Sequence, residues 1–425
     1  MKLRVKPSQL AGSVPIPASK SHTVRALVIG SLAEGQSRLI APLDSADIQS
    51  CIGAMRLLGA QVEADGCDLL VRGVAGSPRV PSSPIDVGNS GTTLYIACAT
   101  AAIVDGTTTI TGDAQIQARP IQPLTSALED LGARAVSERD NGCPPVRITG
   151  PLRGGKTSIE CPTSQYLTAL LINCPLANGD SHIEVPLLHE QPYVHMTLDW
   201  LDRLGIEYER EGLERFHVPG GQSYPPFERP IPADFSSANF FMCAAAVTGS
   251  EITLTGLDMD DPQGDKAVVD MLRQMGAEVE VDELRMTVRG KPLHGCELDL
   301  NATPDALPAL AATACFAEGE TLLGNVPQAR LKETDRISVM ATELRKMGAD
   351  ITELDDGLLV RGRQLRGAQV DGHGDHRIVM ALAVAGLGAA DETTVSTAEA
   401  IAVTFPDFVE LMRRLGATLE KVDTP

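Results

Sequence analysis

Six cations of this chain stand where cations are unexpected. Lys20, Arg25, Arg119, Lys332, Arg336 and Arg377 fall at or near the predicted N-terminal ends of helices. The helix macrodipole favours anions there, so a cation is opposed unless an anion is held between it and the free amides. A single case would be a local pair with an acid such as Asp335 or Glu333. Repetition at corresponding places points instead to an anionic ligand gripped by side-chain cations and backbone N–H groups together. The loop Gly88-Asn89-Ser90-Gly91 lets the backbone approach such a ligand closely. No GxxxxGK[ST] is present, which excludes a P-loop nucleotide site. Asp305, Glu333 and His376 lie in the same stretches and are the candidates for proton transfer. Their simpler roles are a helix cap, an ion pair with Arg336 and a cap-region hydrogen bond. The other histidines are dispersed without metal-ligand spacing, so no metal is expected.

The elements that must position these residues follow from a repeat. A helix ending recurs as MRLLGAQVE at 55, LEDLGARAV at 128, LDRLGIEYE at 201, LRQMGAEVE at 272, LRKMGADIT at 344 and MRRLGATLE at 412. A fixed period is evidence of repeated architecture. Each glycine takes the left-handed position after a helix, and the alternation that follows starts a strand. Within a unit the pattern reads βαβαββ. First helices begin at Lys20-Ser21-His22, Asn89-Ser90-Gly91, Thr163-Ser164-Gln165, Ser236-Ser237-Ala238, Asp305-Ala306 and Asp375-His376-Arg377. Second helices begin near Asp44, Arg119, Tyr193, Gly264, Lys332 and Thr404. Ser236, Ser237 and Asp44 read as caps. The last unit ends after one strand, and KLRVKP near the N-terminus looks like its missing partner. Proline-rich stretches at 14–19 and 218–234 mark two crossings. The predicted division is residues 1–15 with 233–425 as one domain, holding both termini, and 16–232 as the other, three repeats in each.

Composition narrows the function. Among 425 residues, 36 Lys+Arg against 56 Asp+Glu give a net charge of −20. Such a chain is a poor partner for nucleic acid or an anionic membrane unless its cations cluster. Aromatics are only 3%, which leaves little for base stacking. The longest apolar runs, 306–317 and 378–390, are too short to span a bilayer and read as buried helices. The start MKLRVKPSQL has no apolar signal core. Nine cysteines, odd in number and never spaced CxxC, fit reduced thiols in the cytoplasm.

The segments SKSHTVRAL (19–27), DVGNSGTTL (86–94), QARPI (117–121), TSQYLTALL (163–171), QPYV (191–194), TPDALPALA (303–311), RLKETDRI (330–337), GDHRIVMALAV (374–384) and TFPDF (404–408) together resemble the 5-enolpyruvylshikimate-3-phosphate synthases. The resemblance spans essentially the whole chain. It implies a two-domain inside-out α/β barrel of six βαβαββ repeats, three per domain, with the active site in the cleft between the domains. It further implies transfer of the enolpyruvyl group of phosphoenolpyruvate to the 5-hydroxyl of shikimate 3-phosphate, with release of phosphate, by a cytoplasmic monomer without cofactor or metal. Lys20, Ser21, Arg25, Thr163, Ser164, Gln165, Tyr193, Asp305, Gln328 and Lys332 fall where the family holds shikimate 3-phosphate. Lys20, Gly91, Arg119, Gln165, Arg336, His376 and Arg377 fall where it holds phosphoenolpyruvate. Asp305 and Glu333 match the family's acid–base carboxylates, with Lys20 assisting. No nucleic acid or membrane enters as a partner.

Three positions depart from the family's pattern. Tyr95 stands where GNSGTT-x-Arg has its arginine, Val403 where a lysine usually precedes the Ser/Thr-Phe-Pro, and Gln117 in a loop that often carries another arginine. Two other readings stay open beside the first. One is a related enolpyruvyl transferase with a different acceptor; the relative that uses UDP-N-acetylglucosamine has a cysteine where this chain has Ala114. The other is a non-catalytic paralogue that binds phosphorylated metabolites.

Overall fold

The computed structural model describes residues 1–423. Its contacts divide the chain into two units: Met1–Pro17 with the chain from Pro232 onward, and Ala18–Ile231. Each unit has its own hydrophobic core.

The repeat is visible in the strands. The described residues form six four-stranded sheets, three in each unit. In the sheet formed by Ile85–Asp86, Thr107–Thr111, Arg134–Ser137 and Val146–Thr149, the first two strands run parallel. They are separated by helix Gly91–Ile103, as a parallel crossover requires. The last two form an antiparallel hairpin whose second strand inserts next to Thr107–Thr111. The other sheets repeat this order.

The first helix of each repeat is buried on nearly every side. GTTLYIACATAAI (Gly91–Ile103) and FSSANFFMCAAAVT (Phe235–Thr248) show the pattern, and nearly every residue of both is buried. A helix without a polar face must be enclosed by protein. In one unit Gly91–Ile103 packs against Lys20–Leu32 and Gln165–Asn173; in the other, Phe235–Thr248, Leu307–Ala314 and His376–Gly388 pack together. These helices form the inside of each unit and the sheets lie outside them. The second helices, such as Gln191–Arg203 and Arg336–Lys346, mix buried and exposed residues.

The glycines that mark the repeat, at 59, 132, 205, 276, 348 and 416, all have positive φ, between 70° and 115°. Each follows a helix C-cap, and a residue with a Cβ would be strained there.

Two strand placements complete the repeats. Lys2–Lys6 pairs antiparallel with both Thr418–Val422 and Thr393–Ser396, so the chain start supplies the fourth strand of the last sheet. The strands next to the crossings are exchanged, which the sequence pattern did not foresee. Ala11–Pro15 pairs with Glu251–Thr255, and Glu228–Pro230 pairs with Gln36–Ile40. Each crossing segment thus gives its strand to the repeat that the other segment leads into.

Helix starts need some correction. The helix expected near Arg119 starts at Gln122, and the one expected near Lys332 starts at Arg336. Arg119 and Lys332 instead end short 3₁₀ turns, Ile116–Ala118 and Pro327–Leu331. Proline sets these turns: Pro120 follows Arg119, and Pro327 opens the second. Asp234 caps Phe235–Thr248 and receives the Ser237 amide at 3.0 Å and hydroxyl at 2.6 Å, so neither Ser236 nor Ser237 is the cap. Asp44 precedes the Ser45 cap position and accepts from Gln49 at 2.8 Å.

Candidate active site

The expected site residues gather into two clusters, one in each unit. The cluster in the unit with both strand Lys2–Lys6 and helix Arg336–Lys346 is built around Arg336. Its side chain is 1% exposed and donates to three carboxylates. Nε reaches Asp375 Oδ2 at 2.8 Å, Nη1 reaches Asp305 Oδ1 at 2.7 Å, and Nη2 bonds Glu333. Arg377 Nη2 lies 3.1 Å from Asp305 Oδ2 and Lys332 Nζ lies 3.9 Å from Asp305 Oδ1. Asp375 is fully buried and also accepts the Arg377 amide at 2.9 Å and the Thr334 hydroxyl at 3.1 Å. It caps helix His376–Gly388 while it aligns Arg336. His376, 2% exposed, is the first residue of that helix.

The electrostatics of Asp305 follow from this crowding. Burial alone would raise its pKa, but Arg377, Lys332 and Arg336 together hold it well below the usual carboxylate range, with Glu333 opposing them. Asp305 is therefore ionised at neutral pH. Burial would lower Arg336, yet Asp375, Glu333 and Asp305 raise it, so it stays charged. Gln328, 2% exposed, donates to the Asn301 carbonyl at 2.9 Å.

The second cluster lies in the unit Ala18–Ile231. Lys20 opens helix Lys20–Leu32, and its Nζ lies 3.0 Å from Asp47 Oδ2. Arg25 is 2% exposed, and every hydrogen bond it makes goes to a neutral oxygen. Nε donates to Thr197 Oγ1 at 3.0 Å, Nη1 to the Ser21 carbonyl at 2.9 Å, and Nη2 to Thr168 Oγ1 at 3.3 Å and the Tyr193 carbonyl at 2.9 Å. Burial pulls its pKa down to about 10, with Tyr193 opposing. A buried cation held only by dipoles is costly alone and is favoured by an incoming anion.

Arg119, 5% exposed, lies over the start of helix Gly91–Ile103. A Cβ on Gly91 would sit 3.1 Å from its Nη1, so glycine leaves room for the guanidinium. Tyr95, at the position of the expected arginine, supports this place. Its hydroxyl and that of Tyr166 both donate to the Pro120 carbonyl, at 3.3 and 2.7 Å, and the rings meet edge to face at 5.0 Å. Gln117 accepts from Arg139 at 2.6 Å. Thr163, Ser164 and Gln165 lead into helix Gln165–Asn173. The hydroxyls of Thr163 and Ser164 both donate to Glu190, while Gln165 Oε1 is buried without a hydrogen-bond partner.

Comparison with known proteins bears on this arrangement. The sequence model of EPSP synthase (3-phosphoshikimate 1-carboxyvinyltransferase) matches residues 5–412. The chain belongs to the EPSP synthase family. Among its relatives, the 3-phosphoshikimate 1-carboxyvinyltransferase of Ruminiclostridium cellulolyticum is 52% identical over 422 residues, covering 99% of this chain and 100% of the relative. The enzyme of the same name from Methanocella arvoryzae is 45% identical over 424 residues, covering 99% and 100%. The solved EPSP synthase of Acinetobacter baumannii superposes with a TM-score of 0.83 at 28% identity, over 99% of both chains. The two-domain α/β architecture of six repeats is thus the family's fold.

Within this EPSP synthase family chain, Asp375, Asp47 and Glu190 belong to the clusters but were not among the expected site residues. Asp375 had a signal: an acid at a helix start directly before His376 and Arg377. Asp47 and Glu190 had none, because their partners lie 27 and 26 residues away in sequence. Among the described residues, no group of three or more His, Cys, Asp or Glu is placed to hold a metal ion. No helix among them is long and apolar enough to cross a membrane.

Proposed function

We propose that the chain is a 3-phosphoshikimate 1-carboxyvinyltransferase. It transfers the enolpyruvyl group of phosphoenolpyruvate to the 5-hydroxyl of shikimate 3-phosphate and releases phosphate, in the shikimate route to aromatic amino acids. Family membership supports this reading, and the observation that carries it is the ionised Asp305 surrounded by Lys332, Arg336 and Arg377. Both substrates are polyanions that repel each other, so cations are needed to bring them together.

The chemistry assigns the residues. The methylene carbon of phosphoenolpyruvate is protonated as the 5-hydroxyl oxygen attacks its C2 and loses its own proton. A proton then leaves the new methyl group, the C–O bond to phosphate breaks, and phosphate departs with the electron pair. One base and one acid exchange roles across the two steps. Asp305, set among Lys332, Arg336 and Arg377, takes the hydroxyl proton. Glu333 serves the carbon, with Lys20 assisting. Lys20, Gly91, Arg119, Gln165, Arg336, His376 and Arg377 hold phosphoenolpyruvate. Lys20, Ser21, Arg25, Thr163, Ser164, Gln165, Tyr193, Asp305, Gln328 and Lys332 hold shikimate 3-phosphate. Exclusion of water from the bound pair strengthens these charge contacts. The chain works as a cytoplasmic monomer and uses no cofactor.

The test is phosphate release by the purified chain. It should require both substrates and yield one enolpyruvyl product per phosphate. Phosphate release with both substrates no faster than with phosphoenolpyruvate alone would sink the proposal.

A further inference from the structure

Glu190 is a buried acid for which the reaction has no use. It is 1% exposed and adopts a left-handed backbone conformation, φ 59° and ψ 39°, at the start of helix Gln191–Arg203. That conformation is disfavoured for a residue with a Cβ and persists only where its surroundings impose it. The carboxylate accepts from the Ser164 hydroxyl at 2.8 Å, the Ser164 amide at 3.1 Å and the Thr163 hydroxyl at 3.2 Å.

A hydroxyl has one proton to donate. With Glu190 in place, the protons of Thr163 and Ser164 are both committed to a carboxylate. Neither can then donate to a substrate phosphate. Those two residues are nonetheless the ones assigned to shikimate 3-phosphate in the reading above, on which this inference rests. A carboxylate and a phosphate also repel when they share one set of donors in a buried place.

We propose that Glu190 determines specificity at the acceptor subsite. Its carboxylate occupies the hydroxyls and amide of Thr163 and Ser164, so that a phosphorylated acceptor gains them only by displacing it. The internal anion lowers the advantage of a phosphorylated acceptor over its unphosphorylated counterpart, and it keeps the two hydroxyls oriented when no acceptor is bound.

The experiment compares the full-length wild type with Glu190→Gln and Glu190→Ser. Gln keeps the shape and removes the charge; Ser removes the side chain's reach as well. Calorimetric titration with shikimate 3-phosphate and separately with shikimate gives a ratio of affinities for each protein. That ratio should rise about tenfold or more in both variants, because repulsion between like charges is relieved only for the phosphorylated ligand. A ratio that stays level or falls in either folded variant overturns the proposal and makes Glu190 a support for Thr163 and Ser164 alone. Far-ultraviolet circular dichroism checks folding, and the two variants do not share the same risk of misfolding. Wild type that turns over both substrates while the ratio stays level defeats this inference only. Wild type without turnover defeats the functional reading as well.

Discussion

In the cluster around Arg336, three cations face three carboxylates; in the cluster around Arg25, a buried guanidinium faces hydroxyls and carbonyls. The first is charge-balanced before any ligand arrives. Its arginine is held so tightly that it works as a fixed frame for Asp305 and Glu333. The second keeps in Arg25 a cation whose charge is not cancelled by its own hydrogen-bond partners. The difference separates two tasks. Proton transfer needs acids whose position and ionisation are set in advance. Substrate capture needs cations with unspent attraction.

The largest effects should come from the acids of the first cluster. Asp305→Asn and Glu333→Gln keep shape and remove proton transfer, so kcat should fall by ~10²–10⁴ in proteins that remain folded. Near-normal turnover in either variant would take that residue out of the mechanism. Asp305 also carries a pH signature. Its folded pKa lies below the usual 3.8. A depressed carboxylate stabilises the fold fully above its unfolded pKa, and that contribution is lost as pH falls through the folded value. The stability gap between wild type and Asp305→Asn should therefore stay level from neutral pH to about 4 and close only below it. Urea unfolding across that range checks this; a gap that closes above pH 5 would contradict the assignment.

Next in size is the frame itself. Arg336→Met leaves Asp305, Glu333 and Asp375 without their shared partner. The loss should be about 3–5 kcal/mol of folding stability, the range for breaking a buried ion pair from one side. Arg25→Lys should behave differently, and the contrast is what sharpens the comparison. Lysine keeps the charge but cannot span the oxygens of Ser21, Thr168, Tyr193 and Thr197. Stability should change little beside Arg336→Met, while the KM for shikimate 3-phosphate should rise about tenfold or more, as expected for losing charge-assisted hydrogen bonds. If Arg25→Lys instead raises the KM for phosphoenolpyruvate alone, the division of labour between the clusters is wrong.

How much of this was legible in the sequence differs between the clusters for the same physical reason. The framework could be read because it repeats: a glycine after each helix and an apolar run before each sheet leave a periodic trace. Asp305, Glu333, Arg336 and Arg377 could be read as a group because they lie at turns and helix starts, where a charge is conspicuous. Their mutual pairing could not, since Asp305 and Arg336 are 31 residues apart and Arg336 and Asp375 are 39 apart. The Arg25 cluster hid more. Thr168, Thr197 and Glu190 look like ordinary helix and loop residues until tertiary packing aims them at their partners. The exchange of strands Ala11–Pro15 and Glu228–Pro230 was hidden too, because either strand satisfies the local pattern of either repeat.

Val403 offers the smallest effect and the finest test of the comparison. It ends the 3₁₀ turn Ala398–Val403 and is half-buried, at the position where the sequence pattern predicts lysine. It belongs to the unit of the charge-balanced cluster. If capture is the task of cations with unspent charge, a lysine added here brings a fourth cation against three acids and should favour anion binding. Val403→Lys should lower the KM for phosphoenolpyruvate by a few-fold, since one partly solvated charge contributes about 1 kcal/mol. Glyphosate, whose phosphonate is expected to take the same place, should inhibit more strongly by a similar factor. The KM for shikimate 3-phosphate should move less, because most of its proposed contacts, Arg25, Thr163 and Ser164 among them, lie in the other unit. Steady-state kinetics with both substrates varied measures all three together. An unchanged phosphoenolpyruvate KM in a well-folded variant would show that position 403 does not face the phosphate. A drop in both substrates' KM would show that a single cation serves the two anions alike, and that the division between a balanced cluster and a capturing one does not extend to position 403.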